Sequence, residues 1–185
     1  MIALNHRSLL LALSLMLLGG CHADLDWRKL ASEEGRFQML MPARSQSETR
    51  NIGAGATMTL WTASARDSVF GISITDYPDA ASLHVTEARD ALARNVTGSV
   101  SEDRAGIAAP KGAPAGAIAA ESRRIAISGS TGEAGKDTPR PVSVHARLYA
   151  IGNRLYQLTI ITRPDTLTAS DLEMFFYSFE LSYGR

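Results

Sequence analysis

The stretch VSVHARLYAIGNRLYQLTIIT, Val142–Thr162, holds two runs rich in β-branched and aromatic residues on either side of Gly152-Asn153, and how those runs pair decides how the rest of the chain can be layered. Successive side chains of a strand point to opposite faces. Val144, Ala146, Leu148 and Ala150 therefore share one face of the first run, and Tyr156, Leu158 and Ile160 share one face of the second. A two-residue turn at Gly152-Asn153 would set Leu148 opposite Gln157 and Arg147 opposite Leu158, mixing the faces. A three-residue loop, with glycine or asparagine in the left-handed conformation, pairs apolar with apolar. The sequence thus predicts an odd-length loop, which places Arg147 beside Gln157.

Working outward, Phe37-Gln38-Met39-Leu40-Met41 followed by Pro42 predicts a strand stopped by proline. Thr57 to Ala63 and Val69 to Tyr77 predict a hairpin, with "ARDS" as its turn and Phe70, Ile72 and Ile74 on one face. The Gly/Ser-rich "SQSETRNIGAGA" before them reads as a connection. From Ala81 the period becomes helical, with Val85, Ala88, Leu92 and Val96 on one side and Asp79 or Ser82 placed to cap the start. "GIAAPKGAPAG" reads as a loop, Ile118 to Ser128 as a strand, and "GSTGEAGKDTPRP" as a second loop. Near the end, Leu172, Phe175, Phe176 and Phe179 have the spacing of a helix laid on a sheet, and Ser170-Asp171-Leu172-Glu173 fits a capping box.

The first twenty residues have the layout of a secretory signal: Arg7 without an acid, an apolar run "SLLLALSLMLL", then small residues. That run is shorter than the roughly 20 apolar residues a transmembrane helix needs. Leu18-Gly19-Gly20-Cys21 holds the only cysteine in the chain and resembles the bacterial lipobox. The resemblance implies cleavage before Cys21, a diacylglyceryl group and palmitate on Cys21, and, because His22 rather than aspartate follows, a place in the outer membrane facing the periplasm. Two acyl chains already anchor a protein stably. The expected organisation is a signal peptide over 1–20, a lipidated tether over 21–26 and one domain over 27–185. Trp27, just past the tether, reads as a cap on the core or as an interfacial anchor.

Without signal and thiol, the mature chain has no disulfide to lean on and must be stabilised by burial. The whole chain carries 19 basic and 19 acidic residues, and this balance gives no reason to expect nucleic acid as a partner. "GSTGEAGKDT" is not a phosphate loop: Ser130 stands where the first glycine belongs, Asp137 where a Ser/Thr should hold magnesium, and Pro139 and Pro141 forbid the following helix. His22, His84 and His145 lack metal-ligand spacing, and no Gly-x-Ser-x-Gly elbow occurs. No metal, cofactor or catalytic residue is expected. Arg124, Arg147 and Arg154 fall in the C-terminal strands, where they form either an anion or partner contact or an ordinary solvated sheet face.

Taken in order, "EGRFQMLMPA", "GISITDYP", "EARDALARNV", "PAGAIAAESRRI", "VHARLYAIGNRLYQLTI" and "FFYSFEL" are similar to bacterial members of the PsbP-like family, which includes extrinsic photosystem II proteins and a Ran-GTPase-binding relative. The resemblance implies an α+β fold, a twisted and mainly antiparallel sheet packed between helices as an α/β/α sandwich, and a non-enzymatic binding or assembly role. The expected function is a membrane-anchored periplasmic lipoprotein that binds or assembles an envelope protein; the alternative is a carrier or sensor of a small amphiphilic ligand.

Overall fold

The computed structural model describes residues 25–114, 122–131 and 139–183. Among them run β1 (Arg28–Ser32), β2 (Phe37–Met41), β3 (Gln46–Gly53), β4 (Ala56–Ala65) and β5 (Ser68–Asp76). A 3-10 turn (Ala81–His84) then leads into α1 (Val85–Asn95), followed by β6 (Ser99–Ala105), β7 (Ser122–Thr131), β8 (Arg140–Ile151), β9 (Arg154–Thr162), α2 (Ala169–Tyr177) and β10 (Glu180–Leu181). Seven strands form one antiparallel sheet in the order β3-β4-β5-β9-β8-β7-β6, and three form another in the order β1-β2-β10.

This architecture overturns the expected α/β/α sandwich. Strands make up 54% of the described residues and helices 17%, so the described chain is mostly β, with two antiparallel sheets in place of a sheet between helical layers. The difference lies in segments taken for connections. β3, inside "SQSETRNIGAGA", is exposed at all eight positions, and β6 is exposed at six of its seven. Both are edge strands. An edge strand wet on both faces needs no apolar alternation, so its hydrogen bonds to β4 or β7 define it and its sequence does not. β1 and β10 join β2 in the same unannounced way.

The odd-loop expectation is also wrong. β8 and β9 close on a two-residue turn with Ile151 opposite Arg154, Leu148 opposite Gln157 and Arg147 opposite Leu158. Gly152 sits at φ +60°, in the first central position of the turn, where glycine is favoured. The faces mix because the large sheet is covered on both sides. Val142, Val144, Ala146, Leu148 and Ala150 of β8 join Val85, Leu92 and Val96 from α1 and its C-cap in one apolar cluster. Tyr156, Leu158 and Ile160 of β9 point the other way, into a second cluster with Phe37, Met39 and Met41 of β2 and Phe175 and Phe176 of α2. Each strand turns its more apolar face to a different layer, so no register had to bring the two together.

Other local expectations stand or shift by a residue or two. The β4–β5 turn is Arg66-Asp67, both at positive φ (46° and 55°), as a tight hairpin requires. The helix after Ala81 forms, but neither Asp79 nor Ser82 caps it: no side-chain hydrogen bond caps either start, and Asp79 Oδ1 instead meets His84 Nε2 at 2.7 Å. The capping box of α2 is Thr168 with Asp171, two residues before the expected one. α2 stops at Tyr177, so Phe179 enters the core from the segment beyond it. Trp27 lies edge-on to Phe70 at 6.3 Å, which makes it a cap on the core. Of the expected strand over Ile118 to Ser128, 118–121 lie outside the described residues, as do 132–138 of the loop after it.

Candidate functional site

The cover over the large sheet stops short of β7 and β6 on the side that α2 packs against, and an open cleft forms there. The β8–β7 register sets Arg147 directly opposite Arg124. Like charges facing each other across two strands disfavour the pairing by roughly 0.2–1 kcal/mol, so the local sequence does not place them there for stability. The end of α2 supplies one wall. The Arg147 guanidinium lies over the Phe176 ring at 4.9 Å and over the Tyr177 ring at 4.5 Å. Buried Tyr149 stacks on Phe179 behind them at 5.9 Å. The opposite wall is the segment Gly106–Lys111, tied down where Leu181 N donates to Lys111 O at 2.8 Å and Lys111 Nζ meets Glu180 at 2.6 Å. The cleft has a volume of about 520 Å³. A smaller recess of about 150 Å³, sharing Arg124, Arg147, Phe176 and Tyr177, runs on beneath α2 to His145.

Of the four cations that line the cleft, one has no carboxylate among the described residues. Arg124 Nε lies 3.5 Å from Glu102 and Arg104 Nε lies 3.9 Å from the same group. Lys111 is held by Glu180. Among the described residues no carboxylate pairs with Arg147, whose guanidinium lies over two aromatic rings, a setting that suits this group, and engages the Tyr149 hydroxyl. On the opposite face of β6 and β7, toward α1, Asp103 accepts from Arg89 and Arg123 at 2.7 Å each. Burial raises its pKa, but those hydrogen bonds outweigh burial and hold it below the usual carboxylate range. That ion cluster is self-satisfied.

Of the three arginines marked in the sequence, the fold brings two together. Arg154 is elsewhere, at the hairpin end, where its guanidinium donates to both oxygens of Asp76 (2.6 and 3.0 Å) and to Glu34 O (2.8 Å). Its side chain is only 17% exposed, and a two-pronged bond of this kind is structural. Nε and both terminal nitrogens are each committed to a partner within the protein. Arg147 also lies beside Leu158 and not Gln157. Arg104, Lys111 and Tyr177 carry no sequence signal because they sit in an unrecognised edge strand, in a loop and at a helix position outside the apolar stripe. Cys21 lies outside the described residues.

His145 lines the smaller recess. Burial first, then the positive charge of Arg124, hold its imidazole below the ordinary value of 6.5, with Glu102 opposing. The unfolded chain therefore binds a proton that the folded chain resists. Stability from this group is fully present above about pH 6.5 and falls as pH drops from there through the folded value. Urea unfolding between pH 7.5 and 5 is expected to show this loss, and His145→Gln is expected to flatten it; an unchanged slope in the variant would assign the loss to other groups.

Among the described residues no helix is long and apolar enough to cross a membrane, and no group of His, Cys, Asp and Glu is placed to hold a metal ion. No family model matches the chain, and no curated protein does. The chain is similar to a Bacteroides thetaiotaomicron VPI-5482 protein whose crystal structure was solved at 1.50 Å, with 14% identity and a TM-score of 0.41 over 83% of this chain. It spans about half of that protein, 48% of its length.

Proposed function

We propose that this protein is a non-catalytic lipoprotein, held through Cys21 at the periplasmic face of the outer membrane, whose domain binds an envelope partner through the cleft around Arg124 and Arg147. The observation that carries this reading is the cleft itself: two arginines face each other on neighbouring strands, one without a carboxylate, beside aromatic and apolar walls. Such a site recognises an anionic group attached to an apolar body. The signal layout and the Leu18-Gly19-Gly20-Cys21 motif support the tether. A second reading, a carrier of a small amphiphile, is favoured by the cleft's size, since pockets for small ligands span about 300–1,000 Å³.

Labelling cells with radioactive palmitate is expected to mark the wild-type protein and not Cys21→Ala. Cross-linking in the envelope is then expected to capture one defined partner with the tethered protein, and to lose it both in the secreted Cys21→Ala form and in a tethered Arg147→Gln form. Equal labelling of both forms would remove the tether. Equal capture by Arg147→Gln would remove the cleft as the binding surface.

A further inference from the structure

We infer that the cleft between α2 and the Gly106–Lys111 segment takes a single carboxylate carried on an apolar body, with the carboxylate on Arg147 and Arg124 and the body against Tyr149, Phe176 and Phe179. This rests on the reading of the cleft as the binding surface, and it adds the chemistry of what binds. The charge count selects the head group. Arg104, Lys111, Arg124 and Arg147 line the site. Glu102 lies against Arg104 and Arg124, Glu180 holds Lys111, and Glu173 lines the adjoining recess. Four cations against three carboxylates leave one positive charge, which one carboxylate neutralises and a dianionic phosphate would exceed.

Geometry points the same way. Arg147 lies over Phe176 and Tyr177 and engages the Tyr149 hydroxyl, and of its five in-plane N–H donors those not so engaged suit the oxygens of a planar carboxylate. Arg124 keeps about half its side chain exposed, at 52%, and can turn one N–H to the same group. The body of the ligand has apolar surface on both sides: the aromatic rings on one, and Ile107, Ala108, Ala109 and Pro110 on the other. Fatty acids share this chemistry with polypeptide chains ending in an apolar residue, and the experiment separates the two sources.

The test titrates the secreted full chain carrying Cys21→Ala, which leaves the cleft untouched, with decanoate, decanol and decyltrimethylammonium, following backbone amide shifts by NMR. Decanoate is expected to shift residues of β7, β8 and α2, while decanol binds at least tenfold more weakly and the cation not at all. Arg147→Gln and Arg124→Gln are each expected to weaken decanoate about 10- to 100-fold, the range for losing a hydrogen bond to a charged group. Arg50→Gln, on the distant edge strand, is expected to change nothing. An acetylated tripeptide ending in phenylalanine, as free acid and as amide, decides the source: preference for the free acid peptide over decanoate identifies a chain terminus, and the reverse a fatty acid. Equal binding of decanoate and decanol, or decanoate binding unchanged in both arginine variants, would overturn the inference. The partner captured in the envelope would be unaffected by that result, so the two readings fail separately. Because Arg147 also packs on α2, Arg124→Gln serves if Arg147→Gln does not fold.

Discussion

Phe70→Ala is expected to lower the stability of the folded protein by about 3–5 kcal/mol, the usual cost of deleting a buried phenylalanine. Phe70 is fully buried in the first half of β5. Its ring meets Phe175 of α2 edge-on at 5.4 Å and Trp27, ahead of β1, at 6.3 Å. The residue thus joins three separate parts of the fold: the large sheet, α2 and the entry to the small sheet. The neighbours that would have to collapse into the vacated space are themselves large rings, which cannot shift without breaking other packing. Against a typical total of about 5–15 kcal/mol, the loss is large. Urea unfolding is expected to show a lower midpoint with the slope unchanged. Phe70→Leu, which keeps most of the volume, is expected to lose less than about 1.5 kcal/mol. A loss below about 1 kcal/mol in the alanine variant would mean that this face of the sheet is not packed as described.

Gly129→Ala is expected to destabilise by about 1–3 kcal/mol, the range for overpacking a tight site. A Cβ at this position would lie 2.4 Å from Val96 O and 2.9 Å from Gly98 Cα. Both obstacles are backbone, so no side chain can swing aside. The contact exists because the chain leaving α1 crosses β7 closely enough for Ser130 N to donate to Val96 O at 2.7 Å, which fastens the end of the helix to the sheet. The variant is expected to unfold at lower urea and to exchange the Ser130 amide faster. Wild-type exchange at Ser130 would show that the crossing is looser than described. In the sequence this glycine sits in "GSTGEAG" and looks like one more flexible position.

How much of this was legible follows the pattern of burial. Phe37–Met41, the Phe70 strand, the Val85 helix and the Phe175 helix each set apolar side chains at one period against polar ones, and each forms where the sequence places it. β3 and β6 carry no such signal because water reaches both of their faces. The candidate cleft was half legible. Arg124 and Arg147 stand out as basic residues in C-terminal strands, but their alignment depends on the β7–β8 register, and the exclusion of Arg154 depends on Asp76, which is 78 residues away in the chain.

The sequence by itself determined the period of the buried strands and helices and the balance of 19 basic against 19 acidic residues, because each is read directly from the order and identity of residues along the chain. Only the tertiary structure decided that the described chain is mostly β, that β8 and β9 meet through a two-residue turn, and that, of the four cations lining the cleft, Arg147 has no carboxylate among the described residues. Those outcomes depend on which layer covers which part of the sheet. A hairpin whose two apolar faces are buried on opposite sides gains as much burial as one whose faces match, and the choice between them is made by α1 on one side and by the small sheet with α2 on the other.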